Sequence, residues 1–333
     1  MIITVDEVNN KKKNYCTRQK EITKMKLKKF IAMAAVVGMV AGLATGCGGS
    51  NSDSSADSTG SDAKTEASAD FDTSSDITIV SREDGSGTRG AFIELFGIEE
   101  KDASGQKVDN TTAEAQITNS TSDMLTTVAG DDYAIGYVSL GSLDDSVKAL
   151  KIDGAEATAD NIKSGDYKVA RPFNIATKKG SDNELSKDFI SFIMSKEGQQ
   201  VVSENGYIGD DSAAAFSGSN PSGKIVVGGS SSVSPVMEKL IEAYKAVNKN
   251  AEIELQTTDS TTGMTSTIDG SYDIGMASRE LKDDEAAELD NQVISTDGIA
   301  VIVNKNNTAD ELSSDQVKAI YTGEALTWDE VLN

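Results

Sequence analysis

The sequence predicts an α/β fold, and three observations carry that expectation. From Ile77 onward, short β-rich runs alternate with stretches of helical periodicity, the order that covers a sheet with helices. The 333 residues include 29 Gly against three Pro, with 5% aromatic side chains, which suits glycine turns between such elements. A weak internal repeat is the third. Ser120-Thr121-Ser122-Asp123-Met124 is echoed by Ser260-Thr261-Thr262-Gly263-Met264, and Val128 and Gly130 by Ile268 and Gly270. After a one-residue gap, Ile135-Gly136 matches Ile274-Gly275. Each copy reads as a polar turn, a helix and a short strand, so two lobes built on one plan are expected; chance likeness of Ser/Thr-rich stretches is the competing explanation.

The first 46 residues read as a signal region. Lys26, Lys28 and Lys29 precede an apolar stretch over 30–44, and Met25 is a candidate start. The stretch closes on Leu43-Ala44-Thr45-Gly46-Cys47, which resembles a bacterial lipobox and marks Cys47 for lipidation. An uncleaved anchor helix is the alternative. Residues 47–75 are Gly, Ser, Asp and Ala with almost no large apolar side chains, so they are expected to form a flexible tether. Such a coil spans roughly 30 Å. No apolar run is long enough for a comfortable transmembrane span.

Strands are expected over 77–81, 134–138, 224–227, 252–256 and 299–303. A helix is expected over 235–247, with Ser234 as its N-cap, Pro235 at its first position and Val236, Met237, Leu240, Ile241, Tyr244 and Val247 on its inner face. A second is expected over 185–204, with Phe189, Phe192, Ile193, Val201 and Val202 inward and Asn205-Gly206 as its stop.

Composition excludes several functions. The formal net charge is −23, which argues against nucleic acid as a partner. Histidine is absent, removing His-based catalysis and His metal ligands. Cys16 and Cys47 both lie at or before the end of the signal-like region, so no disulfide, thiolate metal site or cofactor is expected in the folded part.

Four places put Ser, Thr or Gly directly before a helical run: residues 84–89 (DGSGTR), 119–122 (NSTS), 229–235 (GSSSVSP) and 259–263 (DSTTG). One such place is an ordinary cap. Four together suggest an anion site, because a helix N-terminus offers unpaired N–H groups and a positive dipole end. No Gly-Lys-Ser/Thr follows any of them, so nucleotide hydrolysis is unsupported.

The run Ile79-Val80-Ser81-Arg82-Glu83-Asp84-Gly85-Ser86-Gly87-Thr88-Arg89-Gly90 resembles the phosphate-binding loop of phosphate ABC-transporter substrate-binding proteins. Residues 229–235, 273–281 (DIGMASREL), 297–304 (DGIAVIVN) and Arg171-Pro172-Phe173 resemble that family's other motifs. The resemblance implies a type II periplasmic-binding-protein fold, two α/β lobes with the ligand in the cleft between them. It implies that Arg82, Ser86, Gly87 and Thr88 bind phosphate from one lobe, and Ser231, Ser232, Ser260 and Ser278 from the other. Ser120 and Arg279 are additional candidates. Where the family often has an Asp to accept the proton of hydrogen phosphate, this chain has Ser278, and Asp84, Asp259 and Asp297 remain as candidate acceptors.

The order of the halves is swapped relative to the family, which implies a circular permutation with 209–223 as the linker between the old ends. The expected lobes are 76–170 plus 302–333, and a continuous 171–301. A gene fragment or a piece of a tandem array is the alternative. The function implied is an extracytoplasmic lipoprotein, monomeric and membrane-anchored through lipid, that captures inorganic phosphate and delivers it to an ABC permease. It would not be an enzyme. A phosphate-ester hydrolase and a non-transporting surface lipoprotein or sensor are the competing functions.

Overall fold

The structure is a computed structural model that describes residues 71–332; the signal region, Cys47 and most of the expected tether lie outside them. In chain order the elements are β1 (Thr78–Arg82), α1 (Gly87–Leu95), β2 (Glu99–Lys101), β3 (Lys107–Asp109), β4 (Gln116–Thr118), α2 (Thr121–Ala129) and β5 (Ala134–Ser139). Then come β6 (Lys148–Ala149), β7 (Lys151–Ile152), α3 (Ala159–Ser164), β8 (Ala170–Lys178), α4 (Glu184–Ile193), α5 (Lys196–Glu204), β9 (Gly223–Ser230) and α6 (Ser234–Val247). The rest are β10 (Ala251–Thr258), α7 (Ser260–Asp269), β11 (Ile274–Ala277), α8 (Asp283–Glu288), β12 (Leu289–Val303), β13 (Glu311–Leu312), α9 (Ser314–Tyr321) and α10 (Asp329–Leu332). The α/β expectation holds, and each of the five expected strands is present.

Eight of the strands form one path, β10-β9-β11-β8-β12-β5-β1-β4, with β6 also pairing β12. The path is continuous because β12 serves two neighbours. Its first part, Leu289 to Gly298, pairs antiparallel with β8, and Ile299 to Val303 pair with β5. Two large apolar cores result. One gathers Phe92, Tyr137, Tyr167, Ile299, Val301 and Trp328. The other gathers Phe173, Phe189, Val227, Met237, Tyr244 and Ile294. Smaller clusters around Met124 and Met264 cover the opposite sheet faces under α2 and α7. Along β12 the passage from one core to the other falls between Ile294 and Ile299, ahead of the boundary expected at residue 301.

Both copies of the internal repeat form a helix and the strand that follows it. Gly136 and Gly275 occupy matching places: a Cβ on Gly136 would lie 2.5 Å from the sulfur of Met124, and one on Gly275 2.8 Å from the Met264 methyl. Glycine at these strand positions lets each helix lie directly on the sheet.

Several local expectations need correction. The helix expected over 185–204 is two helices, because Ser195 interrupts it. Its Oγ donates to the Phe192 carbonyl and accepts from the Gly198 N–H, starting α5 afresh. A Cβ on Gly198 would lie 2.2 Å from the Phe192 carbonyl oxygen, so only glycine lets the two helices meet this closely. Ser234 is the first residue of α6 rather than its cap; Val233 precedes it, and the Ser234 hydroxyl donates to the Ser230 carbonyl. Val247 is half exposed at the end of α6, while Val236, Met237, Leu240, Ile241 and Tyr244 are buried as expected. Residues 71–75 belong to the packed body rather than to a loose tether. Phe71 has an aromatic ring to bury, and it lies 5.1 Å from the ring of Tyr133 and 6.0 Å from that of Trp328.

The 209–223 segment is irregular yet docked. Phe216 packs edge-on against Phe192, and the Asp188 carboxylate accepts from the Ser219 N–H. The Ile77 N–H donates to the Leu326 carbonyl at 2.8 Å, and Trp328 is fully buried. The start of β1 and the last turns of the chain are therefore immediate neighbours.

Candidate functional site

The site is assembled where β1 gives way to α1. Tyr137 fixes the end of the strand: its hydroxyl bonds the Ser81 hydroxyl at 2.9 Å and accepts from the Arg82 N–H. Burial pushes that phenol up to about 12, so it stays neutral. Ser86 then caps α1 by accepting from the Arg89 N–H, as a serine ahead of a helix should. Arg89 ties the loop down, donating to the Arg82 carbonyl and pairing with Asp109.

Residues of the second core meet this loop directly. Arg82 is 2% exposed; its Nε and Nη2 form a fork onto Glu83, and Nη2 also donates to Ser231 Oγ at 3.1 Å. Thr88 Oγ1 lies 2.8 Å from Ser232 Oγ. Gly87 is pressed so close that a Cβ there would lie 2.3 Å from Ser260 Oγ and 2.8 Å from Ser278 Oγ. Ser278 is in turn bound by Ser230, whose hydroxyl donates at 2.9 Å, and its N–H donates to Ser260 Oγ. The Thr261 N–H reaches across to the Gly85 carbonyl. Arg82, Ser86, Gly87, Thr88, Ser231, Ser232, Ser260 and Ser278 are thus gathered in one buried place between the two cores.

Two sequence candidates lie beside the cluster with their polar groups engaged elsewhere, although Arg279 Nη2 also donates to the Thr261 hydroxyl at 3.3 Å. Ser120 spends its hydroxyl on capping α2, accepting from the Asp123 N–H. Arg279 is committed to a double contact with Glu285 at 2.7 Å on each nitrogen. One residue in the cluster escaped the sequence reading. Thr121, buried at the start of α2, lies 3.3 Å from both Ser231 Oγ and Ser232 Oγ.

Among the candidate carboxylates, Asp84 is solvent-exposed and pairs with Arg89. Asp259 uses both oxygens on Thr262. Asp297 is fully buried opposite Arg171 at 3.2 Å, where β8 and β12 pair. Burial pushes the Asp297 carboxyl up to about 6, against the pull of the Arg171 charge, and lowers the Arg171 guanidinium. The described residues contain no cluster of three or more Cys, Asp or Glu able to hold a metal ion.

Chemically, this is a cradle for a small oxyanion. Three helix starts (α1, α2 and α7), a guanidinium and a group of hydroxyls supply donors from two sides. No nucleophile beside an evident base is among them.

A profile of the PBP superfamily domain matches residues 35–197 and 214–333. The chain is 60% identical over 256 residues to phosphate-binding protein PstS 2 of Streptococcus agalactiae serotype V, covering 77% of this chain and 87% of that protein. It is 45% identical over 266 residues to phosphate-binding protein PstS 2 of Streptococcus pneumoniae serotype 4, covering 80% of this chain and 91% of that one. A crystal structure of a phosphate ABC transporter phosphate-binding protein from Streptococcus pneumoniae superimposes with a TM-score of 0.62 at 46% identity, covering 77% of this chain and all of the other. The chain belongs to the PBP superfamily and, within it, to the family of phosphate-binding proteins of ABC transporters.

Proposed function

We propose that this protein captures inorganic phosphate between its two lobes and hands it to an ABC permease. The observation that supports this most directly is the meeting of Arg82, Thr88, Ser231, Ser232 and Ser260 from both cores around one buried point. Lobe closure is the form in which a permease would read occupancy. Global charge cannot attract the ligand. At a net −23 the protein repels a dianion at long range, so local donors must hold it. A micromolar site needs about 8 kcal/mol net. Charge-assisted hydrogen bonds contribute about 1.5–3 kcal/mol each, so this cradle suffices after ordering costs. Titration calorimetry should find one phosphate per chain. Absence of a heat of binding, or turnover of an aryl phosphate, would count against capture and for hydrolysis.

The lipobox-like segment supports anchoring through Cys47 at the outer face of the membrane. No helix among the described residues is long and apolar enough to cross a membrane. Cys47→Ala should release the protein from the membrane fraction into the medium; retention there would remove the lipid anchor from the proposal. The order of halves, which the Streptococcus agalactiae relative shares along 87% of its length, is read as a circular permutation with respect to other members of the family. The pairing of Ile77 with Leu326 supports this, since it leaves the two segments that an unpermuted chain would run together as immediate neighbours.

A further inference from the structure

We propose that Thr121 is a further phosphate-binding residue, the counterpart in one lobe of Ser260 in the other; the inference rests on the phosphate-capture reading. The internal repeat aligns Ser260 with Ser120. Helix starts break that alignment. Asp259 caps α7, leaving Ser260 as its first residue, whereas Ser120 caps α2, leaving Thr121 as its first residue. The shift takes the hydroxyl of Ser120 out of play and puts that of Thr121 in its place.

Thr121 is 6% exposed, and it lies on the lobe opposite Ser231 and Ser232, whose hydroxyls it approaches at 3.3 Å each. Ser231 also takes the Arg82 Nη2 donor, and Ser232 faces Thr88. Thr121 therefore joins four hydroxyls and one guanidinium into a chain, Arg82 to Ser231 to Thr121 to Ser232 to Thr88, that alternates between lobes. A chain of hydroxyls facing one another across a cleft is redundant as structure, because each is both donor and acceptor and water would serve as well. Around an oxyanion every member can turn its proton inward. The N–H groups of Thr121 and Ser122 lie on the same side, while that of Asp123 in the same turn is taken by Ser120.

The test uses the full chain, inorganic phosphate, titration calorimetry and thermal unfolding without phosphate. Thr121→Val keeps shape and removes the hydroxyl; it should weaken binding about tenfold or more while leaving the phosphate-free midpoint unchanged. Thr121→Ser should bind within about threefold of the unmodified protein. If Thr121→Val binds as well as the unmodified protein, the assignment is wrong. It is equally wrong if Thr121→Ser is as weak as Thr121→Val, because then the methyl group and its packing matter. If the unmodified protein takes up no phosphate, the capture reading itself fails and this inference falls with it; binding by the unmodified protein keeps the two failures apart.

Discussion

Replacing Arg82 with alanine is expected to weaken phosphate binding by at least tenfold, measured by titration calorimetry. The guanidinium is buried at the end of β1 and held in a fixed plane by its fork onto Glu83. A fork held in this way loses little freedom when it takes up a second anion, and each charge-assisted hydrogen bond lost costs about 1.5–3 kcal/mol. The alanine variant also leaves the Glu83 carboxylate, 18% exposed, facing the cradle without its counter-charge, which opposes a dianion further. Arg82→Lys should recover part of the loss, since an ammonium restores the charge without the planar fork. Unchanged affinity in Arg82→Ala would exclude the site as drawn.

The second large effect is expected on stability. Arg171 and Asp297 are both buried, and they face each other where the two lobes exchange strands. Arg171→Met keeps the apolar length of the side chain and removes its charge, leaving a buried carboxylate without compensation. Breaking such a pair costs about 3–5 kcal/mol near pH 7. For a folded body of this size that is roughly ten degrees in Tm. The effect must depend on pH in a defined sense. With its carboxyl already raised to about 6, Asp297 favours the folded state when protonated. That contribution is complete below about pH 4 and is lost as pH rises towards 6. Without Arg171 the carboxyl rises further, so the variant recovers stability at pH 5 by taking up a proton and loses it again by pH 8. Thermal unfolding of both proteins from pH 5 to 8 checks this; a gap that does not change with pH would refute it.

The anion loop was legible because its chemistry is local. A strand, then Gly-Ser-Gly-Thr, then a helix states its own geometry, and Gly87 proves necessary because no Cβ fits against Ser260. Apolar stripes likewise placed Met237, Leu240 and Tyr244 inside. Helix ends were harder to read. Whether Ser195 sits within a helix or restarts one depends on whether its hydroxyl finds the Gly198 N–H, and periodicity does not register that. The same limit hid Thr121. Adjacent Ser120 and Thr121 are equivalent as letters, and only the cap chosen by the fold separates a hydroxyl used locally from one facing the cleft. The partners of Arg279 and Asp297 lie 6 and 126 residues away, and neither pairing is encoded in a motif.

The irregularity in β12 has a consequence for heredity of the fold. Val293 sits opposite Asn174 and Ser295 opposite Phe173, so Ile294 is an uncounted residue in the pairing with β8. Side chains on a strand alternate with a parity of two, and one supernumerary residue inverts that parity downstream. The residue turned inward is Ile294 itself, which joins the second core, while Ile299, Val301 and Val303 face the first core and Ala300 and Ile302 the cluster around Met124. Excision of that single position would withdraw the side chain that β12 gives to the second core and would shift the phase of residues 289–293 against those that follow.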